Sequence, residues 1–223
     1  MTLTADTLTA DTRTDQASDA VTLTVLPALH PHLIARIRRW DDRDQFHKAV
    51  MSLFPDNLNG PPETRRATAR ILYRHETPTS GTPRVLIQHH TPMLPDVTAD
   101  PAVRQTSLTP VLTRLTPGTH VRFRTTLNPV KAITGSNHRT AITDPDELTT
   151  WALHKLTQAG LTDVILNDDP ATDLLRTSAA KLWTAQYDGH ATVTDPAMLT
   201  AAIHTGIGRA KAYGCGLLSI LPG

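Results

Sequence analysis

Alternating apolar and polar residues mark the strands of this chain, and apolar residues three and four positions apart mark its helices. In the first half, the β-branched alternation at 21–26 predicts a strand, and Phe46 and Val50 share the apolar face of a helix that Pro55 ends. One of the aspartates at 41, 42 and 44 is expected to cap that helix. The other elements predicted are strands at 69–74 and 84–88, a short helix within 96–104 and a closing strand within 105–115.

The second half repeats this order of elements without repeating the sequence. Residues 120–127 alternate as a strand that places Arg122 and Arg124 on one face. Asp195 and Pro196 are expected to begin the last helix, as its cap and its first turn. The other elements predicted are a helix at 146–159, a strand at 164–166, a hairpin at 172–193 and a last strand at 217–221. Two β-α-β-β-α-β units predict an α+β fold with two tandem ferredoxin-like domains.

We place the domain boundary near residue 116, which gives an N-terminal domain at 21–116 and a C-terminal domain at 117–223. Residues 1–20 are different in character, because they repeat Thr-Leu-Thr-Ala-Asp and are rich in threonine, aspartate and alanine. Such a segment buries little apolar surface, so we predict a disordered tail there.

Charge and composition restrict the function. The chain of 223 residues holds 22 Lys and Arg against 21 Asp and Glu, so any affinity for nucleic acid must come from a local basic patch. Three residues each of Phe, Trp and Tyr leave few rings for base stacking. The single cysteine, Cys215, excludes an intrachain disulfide and a cysteine-rich zinc site. No apolar run of membrane-spanning length and no secretory signal is evident, so a soluble cytoplasmic protein is expected.

The segment 206–216, called the glycine segment below, combines glycines with cations between a predicted helix and a predicted strand. Glycine allows positive φ and lets a ligand approach the backbone closely, and two cations on such a loop suit a polyanion. The segment matches neither the dinucleotide-binding nor the Walker fingerprint. Alternatively, it forms only a helix C-cap and a tight turn into the last strand. Its glycines are Gly206, Gly208, Gly214 and Gly216, and its cations are Arg209 and Lys211.

His47 is the strongest candidate for acid–base chemistry. It lies in the first turn of the predicted helix, at the edge of the apolar face, where an exposed imidazole is allowed. A helix N-terminus disfavours a cation, so the ring should be neutral and able to act as a base, with Lys48 beside it to hold a phosphate. A histidine at a helix edge without any role fits the same pattern.

Further basic pairs could form a groove on the two sheets. Each pair alone usually marks a solvated surface, but together with the glycine segment the pairs could grip a phosphate backbone. They are Arg65 with Arg66, Arg122 with Arg124, and Arg176 with Lys181. No metal ion or other cofactor is predicted, because the histidine pairs at 30 and 32 and at 89 and 90 match no known site spacing.

Four parts of the chain resemble, in the same order, the CasE-type endoribonucleases, the repeat-cleaving subunits of type I-E CRISPR Cascade complexes. The strongest is the glycine segment, which is similar to the family pattern G-I-G-x-A-K-x-x-G-C-G-L-L-S. The helix Phe46-His-Lys-Ala-Val-Met-Ser-Leu-Phe-Pro-Asp56 is similar to h-H-x-x-h-x-x-x-F-P. The family's R-x-R-x-x-x-N-P-x-K is matched by Arg122-Phe-Arg-Thr-Thr-Leu-Asn-Pro-Val-Lys131, and the strands with Ile71-Leu-Tyr-Arg and Val85-Leu-Ile-Gln also correspond.

The resemblance implies RRM-related ferredoxin-like domains and metal-independent cleavage of CRISPR precursor RNA at the base of each repeat hairpin. A ribose 2′-OH attacks its own phosphate, which leaves a 2′,3′-cyclic phosphate and a 5′-OH. His47 falls on the family's catalytic histidine. The implied partners are the repeat RNA, whose 3′ hairpin is retained in the crRNA, and the other Cascade subunits, without a membrane. The residues predicted to contact the RNA are Lys48, Arg122, Arg124, Lys131, Arg176, Lys181, Arg209, Lys211 and the glycines Gly206, Gly208, Gly214 and Gly216.

One departure from the family keeps a second function open. The family usually has a tyrosine three residues before the catalytic histidine, where it assists catalysis, and this chain has Asp44 there. The chain could therefore be a non-catalytic RNA-binding subunit of the same complex. A metabolic enzyme whose glycine segment binds a small phosphate is a third alternative.

Overall fold

The computed structural model describes residues 20–78 and 81–223. This part of the chain contains eleven strands and seven helices. The strands are β1 (Thr22–Pro27), β2 (Leu72–Glu76), β3 (Arg84–His89), β4 (Arg104–Ser107), β5 (His120–Leu127), β6 (Val130–Ala132), β7 (Arg139–Ala141), β8 (Leu161–Leu166), β9 (Ala171–Arg176), β10 (Lys181–Val193) and β11 (Leu218–Pro222). The helices are α1 (Pro31–Ile34), α2 (Arg43–Met51), α3 (Arg65–Thr68), α4 (Pro95–Thr98), α5 (Thr109–Leu112), α6 (Pro145–Thr157) and α7 (Pro196–Thr205), and a 3-10 turn spans Lys211–Tyr213.

Two antiparallel sheets share one strand order. The first sheet runs β2-β3-β1-β4 and the second runs β11-β5-β10-β8, with β9 added to β10. In each half, the last strand lies beside the first and the second lies at the far edge, which is the order of a ferredoxin-like β-α-β-β-α-β unit. The predicted fold class is confirmed.

Each sheet has its own apolar core. The first core packs the apolar side of α2, with Phe46 and Val50, against β2 and β3 through Tyr73 and Ile87. The second packs α6 and α7 against β5 and β10. The first core draws on residues between 26 and 103 and the second on residues between 115 and 218. The domain boundary near residue 116 stays a prediction, and the predicted tail lies outside the described residues except for Ala20.

Capping side chains set where the helices begin. Asp42 is the aspartate that caps α2, because its carboxylate accepts from the backbone N–H groups of Asp44 and Gln45 at 3.1 Å each. Asp195 caps α7 in the same way, with Pro196 in the first turn. The α2 helix ends at Met51, earlier than Pro55 suggested. The backbone N–H groups of Leu53 and Phe54 donate to carbonyls three residues back at 3.1 and 3.2 Å, so a tighter turn follows the helix.

Some elements differ from their predicted bounds. The strand predicted at 69–74 begins only at Leu72, because α3 occupies the preceding residues and Arg70 turns the chain with φ 48°. The β6–β7 hairpin was not predicted, since its two strands of three residues are too short to show alternation. The predicted closing strand within 105–115 is β4, an exposed edge strand at Arg104–Ser107.

Buried side chains connect the first sheet to the second. The Arg74 guanidinium on β2 donates to the carbonyls of Arg124 and Leu217 at 3.1 Å each and to the Ser219 hydroxyl at 2.9 Å. The Tyr73 hydroxyl, from the next residue back, donates to the Ala212 carbonyl at 2.6 Å. These bonds place the glycine segment against β2 and α2. Across residues 20–78 and 81–223, no helix is long and apolar enough to cross a bilayer.

Candidate active site

The His47 imidazole lies on α2, half-buried rather than exposed as the sequence allowed. Its Nδ1 atom is buried and has no hydrogen-bond partner in the described part of the chain. Burial lowers the pKa of His47, the Arg66 guanidinium lowers it further, and the Asp44 carboxylate works against both. The lowered pKa favours the neutral ring near pH 7, and its largest cause is burial.

Two cations lie close to this histidine, and a third lies near one of them. Arg66 on α3 is held by a 2.7 Å bond from its Nη1 atom to the Ile71 carbonyl. Lys48, the residue after His47, is exposed, and its charge also lowers the pKa of His47. Lys211 of the glycine segment is half-buried, and its pKa is lowered by burial and by Arg66. The structure thus places Lys48 and Arg66 close enough to lower the pKa of His47, and Lys211 lies near Arg66, which the sequence marked only as one of a basic pair.

Asp44, where the family usually has a tyrosine, has two partners from the C-terminal half. Its carboxylate accepts from the backbone N–H of Ser178, in the turn between β9 and β10. The Tyr213 phenol of the glycine segment faces the same carboxylate, and its pKa is raised by burial first and then by the charge and hydrogen bonding of Asp44. A tyrosine is therefore present one helical turn from His47, supplied by a different part of the chain.

Most of the glycines in the glycine segment are needed by the packing of the chain itself. A Cβ atom on Gly216 would lie 2.6 Å from the Ile207 carbonyl, and one on Gly206 would lie 2.9 Å from the Leu72 side chain. A Cβ on Gly214 would lie 3.1 Å from the Tyr73 ring. The helix cap and tight turn considered from the sequence explain these three residues, and their contact with RNA stays a prediction. Cys215, between two of them, is buried as expected.

Gly208 and Arg209 form the outer part of the glycine segment. Both are exposed, and no atom lies within 4 Å of a Cβ built on Gly208. The backbone of this part is therefore open to a ligand, in contrast to the rest of the segment.

The β9–β10 hairpin carries the predicted RNA-gripping cations to the start of α2. The Arg176 backbone N–H donates to the Asp41 carbonyl at 2.9 Å, and its guanidinium lies 3.5 Å from the Asp41 carboxylate. Lys181 is opposite Arg176 across the hairpin. Both side chains are exposed, so the structure places two cations next to the helix that holds His47.

The remaining predicted cations do not converge on His47. The Arg124 guanidinium is bonded to the Asp188 carboxylate, and Lys131 lies 2.6 Å from the Glu147 carboxylate. The glycine segment contacts the same strand at Thr126, whose carbonyl accepts from the Gly216 N–H. Arg122 is exposed and lies four residues before Thr126, which is about 14 Å along the strand. Two of these side chains are thus paired with carboxylates, and the contact of all three with RNA stays a prediction.

The histidine pairs considered as metal ligands have other contacts. His32 lies 3.0 Å from Asp96, and His30 lies 3.4 Å from Asp100. His89 is bonded to the Thr24 hydroxyl and the Thr91 carbonyl at 2.8 Å each. In the ranges 20–78 and 81–223, no three His, Cys, Asp or Glu side chains come together in an arrangement that could hold a metal ion.

Known proteins agree with this fold and with the motifs. The sequence profile of a family described as "CRISPR associated protein" matches residues 23–222. This chain belongs to that family. The resemblance to CasE-type endoribonucleases found in the sequence is thereby confirmed.

Two curated members of the family are similar in sequence. The "CRISPR-associated endoribonuclease Cse3" of Thermus thermophilus is 30% identical over 123 residues, 48% of this chain and 58% of that protein. The "CRISPR system Cascade subunit CasE" of Escherichia coli K12 is 27% identical over 199 residues, 83% of this chain and 95% of that protein. The chain thus matches little more than half the length of the Thermus relative and nearly all of the Escherichia coli one.

Solved structures show the same fold. Thermus thermophilus Cse3 bound to an RNA that represents a pre-cleavage complex superposes with a TM-score of 0.70 at 24% identity, over 91% of this chain and 100% of that one. The CRISPR-associated protein Cas6e of Escherichia coli K-12 superposes with a TM-score of 0.62 at 22% identity, also over 91% and 100% of the two chains.

Proposed function

We propose that this protein is an endoribonuclease that cleaves CRISPR precursor RNA at the base of each repeat hairpin and keeps the 3′ hairpin of its product. The observation that carries the proposal is the half-buried His47, whose pKa is lowered by burial and by the charges of Arg66 and Lys48, with Lys211 near Arg66. The RNA-bound Thermus homologue and the name of the Escherichia coli one support it.

The proposed reaction needs only groups of this site and the RNA. Neutral His47 removes the proton from a ribose 2′-OH, and the oxygen attacks the adjacent phosphorus as the bond to the 5′ oxygen breaks. The proton taken up by His47 is returned through solvent to the leaving 5′ oxygen. The negative charge that develops on the phosphate oxygens is stabilised by the cations around His47. The products are a 2′,3′-cyclic phosphate and a 5′-OH. Because side-chain cations supply the positive charge, we propose that the reaction is independent of metal ions.

Tyr213 is proposed to fill the place of the tyrosine that Asp44 replaces. The Asp44 carboxylate holds the Tyr213 phenol at the edge of the site. The raised pKa of Tyr213 keeps the phenol protonated at neutral pH. The phenol has a single O–H, so when RNA is bound it turns from the Asp44 carboxylate to donate to a phosphate oxygen or to the leaving 5′ oxygen. In this proposal the site has a tyrosine, Tyr213, although position 44 is an aspartate.

The RNA stem is proposed to lie along the exposed cations of the β9–β10 hairpin and the outer part of the glycine segment. Arg176 and Lys181 are next to α2, and Arg209 is exposed on the segment that carries Lys211. Double-stranded RNA is recognised by its shape and backbone, which suits cations better than stacking rings. As a Cascade subunit, the protein would act in the cytoplasm with the other subunits and the crRNA.

The test compares the wild-type protein with His47→Ala on a labelled repeat hairpin. Loss of a general base lowers the cleavage rate by about 100- to 10,000-fold, whereas stem binding should change little. The matched control is His138→Ala, which removes an exposed histidine from the β6–β7 hairpin. A 2′-deoxy nucleotide 5′ to the scissile phosphate should block cleavage, and EDTA should not. Equal cleavage by the wild type and His47→Ala would contradict the role of His47. Tight binding without cleavage by the wild type would establish a non-catalytic RNA-binding subunit instead.

A further inference from the structure

A cavity of about 250 Å³ lies between the two sheets, one turn of α2 before His47. Its walls come from five parts of the chain: the first residue of α2, the end of β2, β5, the glycine segment from Tyr213 to Cys215 and the β9–β10 hairpin. Arg43, His75, Tyr213 and Gln186 are among the side chains that line it.

Arg43 is the unusual member of this lining. Its side chain is buried, with only 9% of the residue exposed, and its Nε atom has no hydrogen-bond partner in the described part of the chain. No carboxylate of the described residues is within ion-pair distance of the guanidinium. The centre of the Phe46 ring lies 5.3 Å from the Cζ atom of Arg43. A buried guanidinium that stays protonated and unpaired is strongly unfavourable, so a counter-charge or a strong acceptor is missing.

The neighbours of Arg43 do not supply that charge. Asp173 lines the cavity but is exposed and accepts from the Leu174 N–H at 2.7 Å, and it acts on Arg43 only from a distance. Arg74 has its own partner in Glu76. Burial and the charge of Arg43 lower the pKa of His75 to about 4, so this ring is neutral. Within the lining, the Arg43 charge is therefore unbalanced.

We propose that this cavity binds a phosphate group, with Arg43 as its ionic partner. A guanidinium offers paired N–H donors that match two oxygens of a phosphate. The Gln186 amide can add a neutral donor from the opposite wall. The volume lies below that of pockets for drug-sized ligands, which suits a single phosphate or the phosphate of one nucleotide. The phosphate could be free in solution or belong to the RNA backbone, and the binding site is the same whether or not the protein cleaves RNA.

The first experiment measures the melting temperature of the full chain as inorganic phosphate replaces chloride at constant ionic strength. With phosphate at about 30 times its dissociation constant, linkage gives a rise in Tm of roughly 4–8 °C for a chain of this size. Arg43→Gln should abolish the rise. The control Arg38→Gln removes the same charge from an exposed residue outside the cavity lining and should keep the rise. An equal rise in Arg43→Gln, or none in the wild type, would overturn the proposal.

A second measurement does not depend on the stability of the Arg43 variant. In the wild type, the backbone amide signals of Gly214 and Cys215, which lie on the cavity wall, should shift with phosphate and saturate along the binding curve of a single site. Shifts that fail to saturate, or that spare these amides, would also overturn the proposal.

Hairpin RNA then distinguishes the two sources of phosphate. If the RNA backbone occupies the cavity, saturating RNA removes the phosphate response, and Arg43→Gln lowers the salt dependence of RNA binding by about one counterion. If the phosphate response persists with RNA bound, the cavity takes a free phosphate.

Discussion

Replacing Glu76 by Gln should lower the stability of this protein more than the loss of an exposed charge does. Glu76 and Arg74 form an ion pair of 2.7 Å in which the side chains are 5% and 3% exposed. The same guanidinium makes all the bonds to Arg124, Leu217 and Ser219 described above. Its five N–H groups are thereby satisfied, and Glu76 is its charge partner.

The size of the effect follows from burial. Removal of one partner from a buried ion pair costs about 3–5 kcal/mol, because the other charge stays buried and uncompensated. For a chain of this size, each kcal/mol lowers Tm by roughly 2–4 °C, which gives an expected loss of about 6–20 °C. The amide of Gln can still accept from Arg74, but it also turns a donor towards Arg84, whose Nε atom lies 2.9 Å from the second oxygen of Glu76.

Glu147→Gln is the matched control, since Lys131 and Glu147 are as close as 2.6 Å but are 49% and 40% exposed. An exposed pair contributes about 0–1 kcal/mol, so this variant should lose at most a few degrees. Thermal unfolding followed by circular dichroism gives both values. A Glu76→Gln variant that melts no lower than Glu147→Gln would refute the reasoning.

The pH dependence gives an independent check on the same ion pair. Burial alone would raise the pKa of Glu76, but Arg74 and Arg84 hold it below its ordinary value of 4.5. A lowered pKa means that Glu76 stabilises the fold above pH 4.5 and loses that contribution as pH falls through its folded-state pKa. The difference in Tm between the wild type and Glu76→Gln should therefore shrink below pH 4.5, and a difference that grew there would contradict the ion pair.

Three further results are expected. The rate of RNA cleavage, measured as kcat/KM, should rise with pH and level off with a midpoint below 6.5, because the pKa of His47 is lowered and its neutral form is the base; a midpoint above 6.5 would contradict this. Tyr213→Phe should lower the cleavage rate without weakening RNA binding, while Tyr187→Phe, which removes a buried phenol from the second core, should leave the rate unchanged; equal rates for the wild type and Tyr213→Phe would remove Tyr213 from the site. Gly208→Ala should lower the free energy of unfolding by about 1–2 kcal/mol, because alanine is strained in its left-handed backbone conformation. Gly216→Ala should lower it by about 1–3 kcal/mol more, because its Cβ would also overlap with Ile207. Denaturant unfolding measures both losses, and equal losses would show that the overlap is relieved.

Local sequence patterns predicted the elements of this fold well. The strand at His120–Leu127 and the caps of α2 and α7 depend on alternation and on aspartates next to the residues they cap, so a short segment contains the whole signal. The β6–β7 hairpin was missed because three residues per strand carry no period. The order of elements then led to the ferredoxin-like topology, because few arrangements of two β-α-β-β-α-β units avoid left-handed crossovers.

The candidate site could be predicted only in part. His47 and its helix are visible in the sequence, but the contact of Asp44 with Ser178 joins residues 134 positions apart, and that of Tyr73 with Ala212 joins residues 139 apart. No local pattern encodes such a contact, since it depends on how one sheet lies against the other. Arg43 did carry a signal that was overlooked: a cation in the first turn of a helix opposes the helix dipole, so its presence there needs a reason.

The position of the glycine segment connects these findings. Its inner glycines pack on Leu72 and Tyr73, and this packing brings Lys211 and Tyr213 to α2. The same stretch of chain forms a wall of the Arg43 cavity. A substitution at Gly214 or Gly216 would therefore disturb the His47 site and the cavity together, and lost cleavage in such a variant would not identify the residue responsible. Side-chain changes that leave the glycines intact, such as His47→Ala and Arg43→Gln, can separate the two sites, because His47 does not line the cavity and each change leaves in place the backbone that both sites depend on.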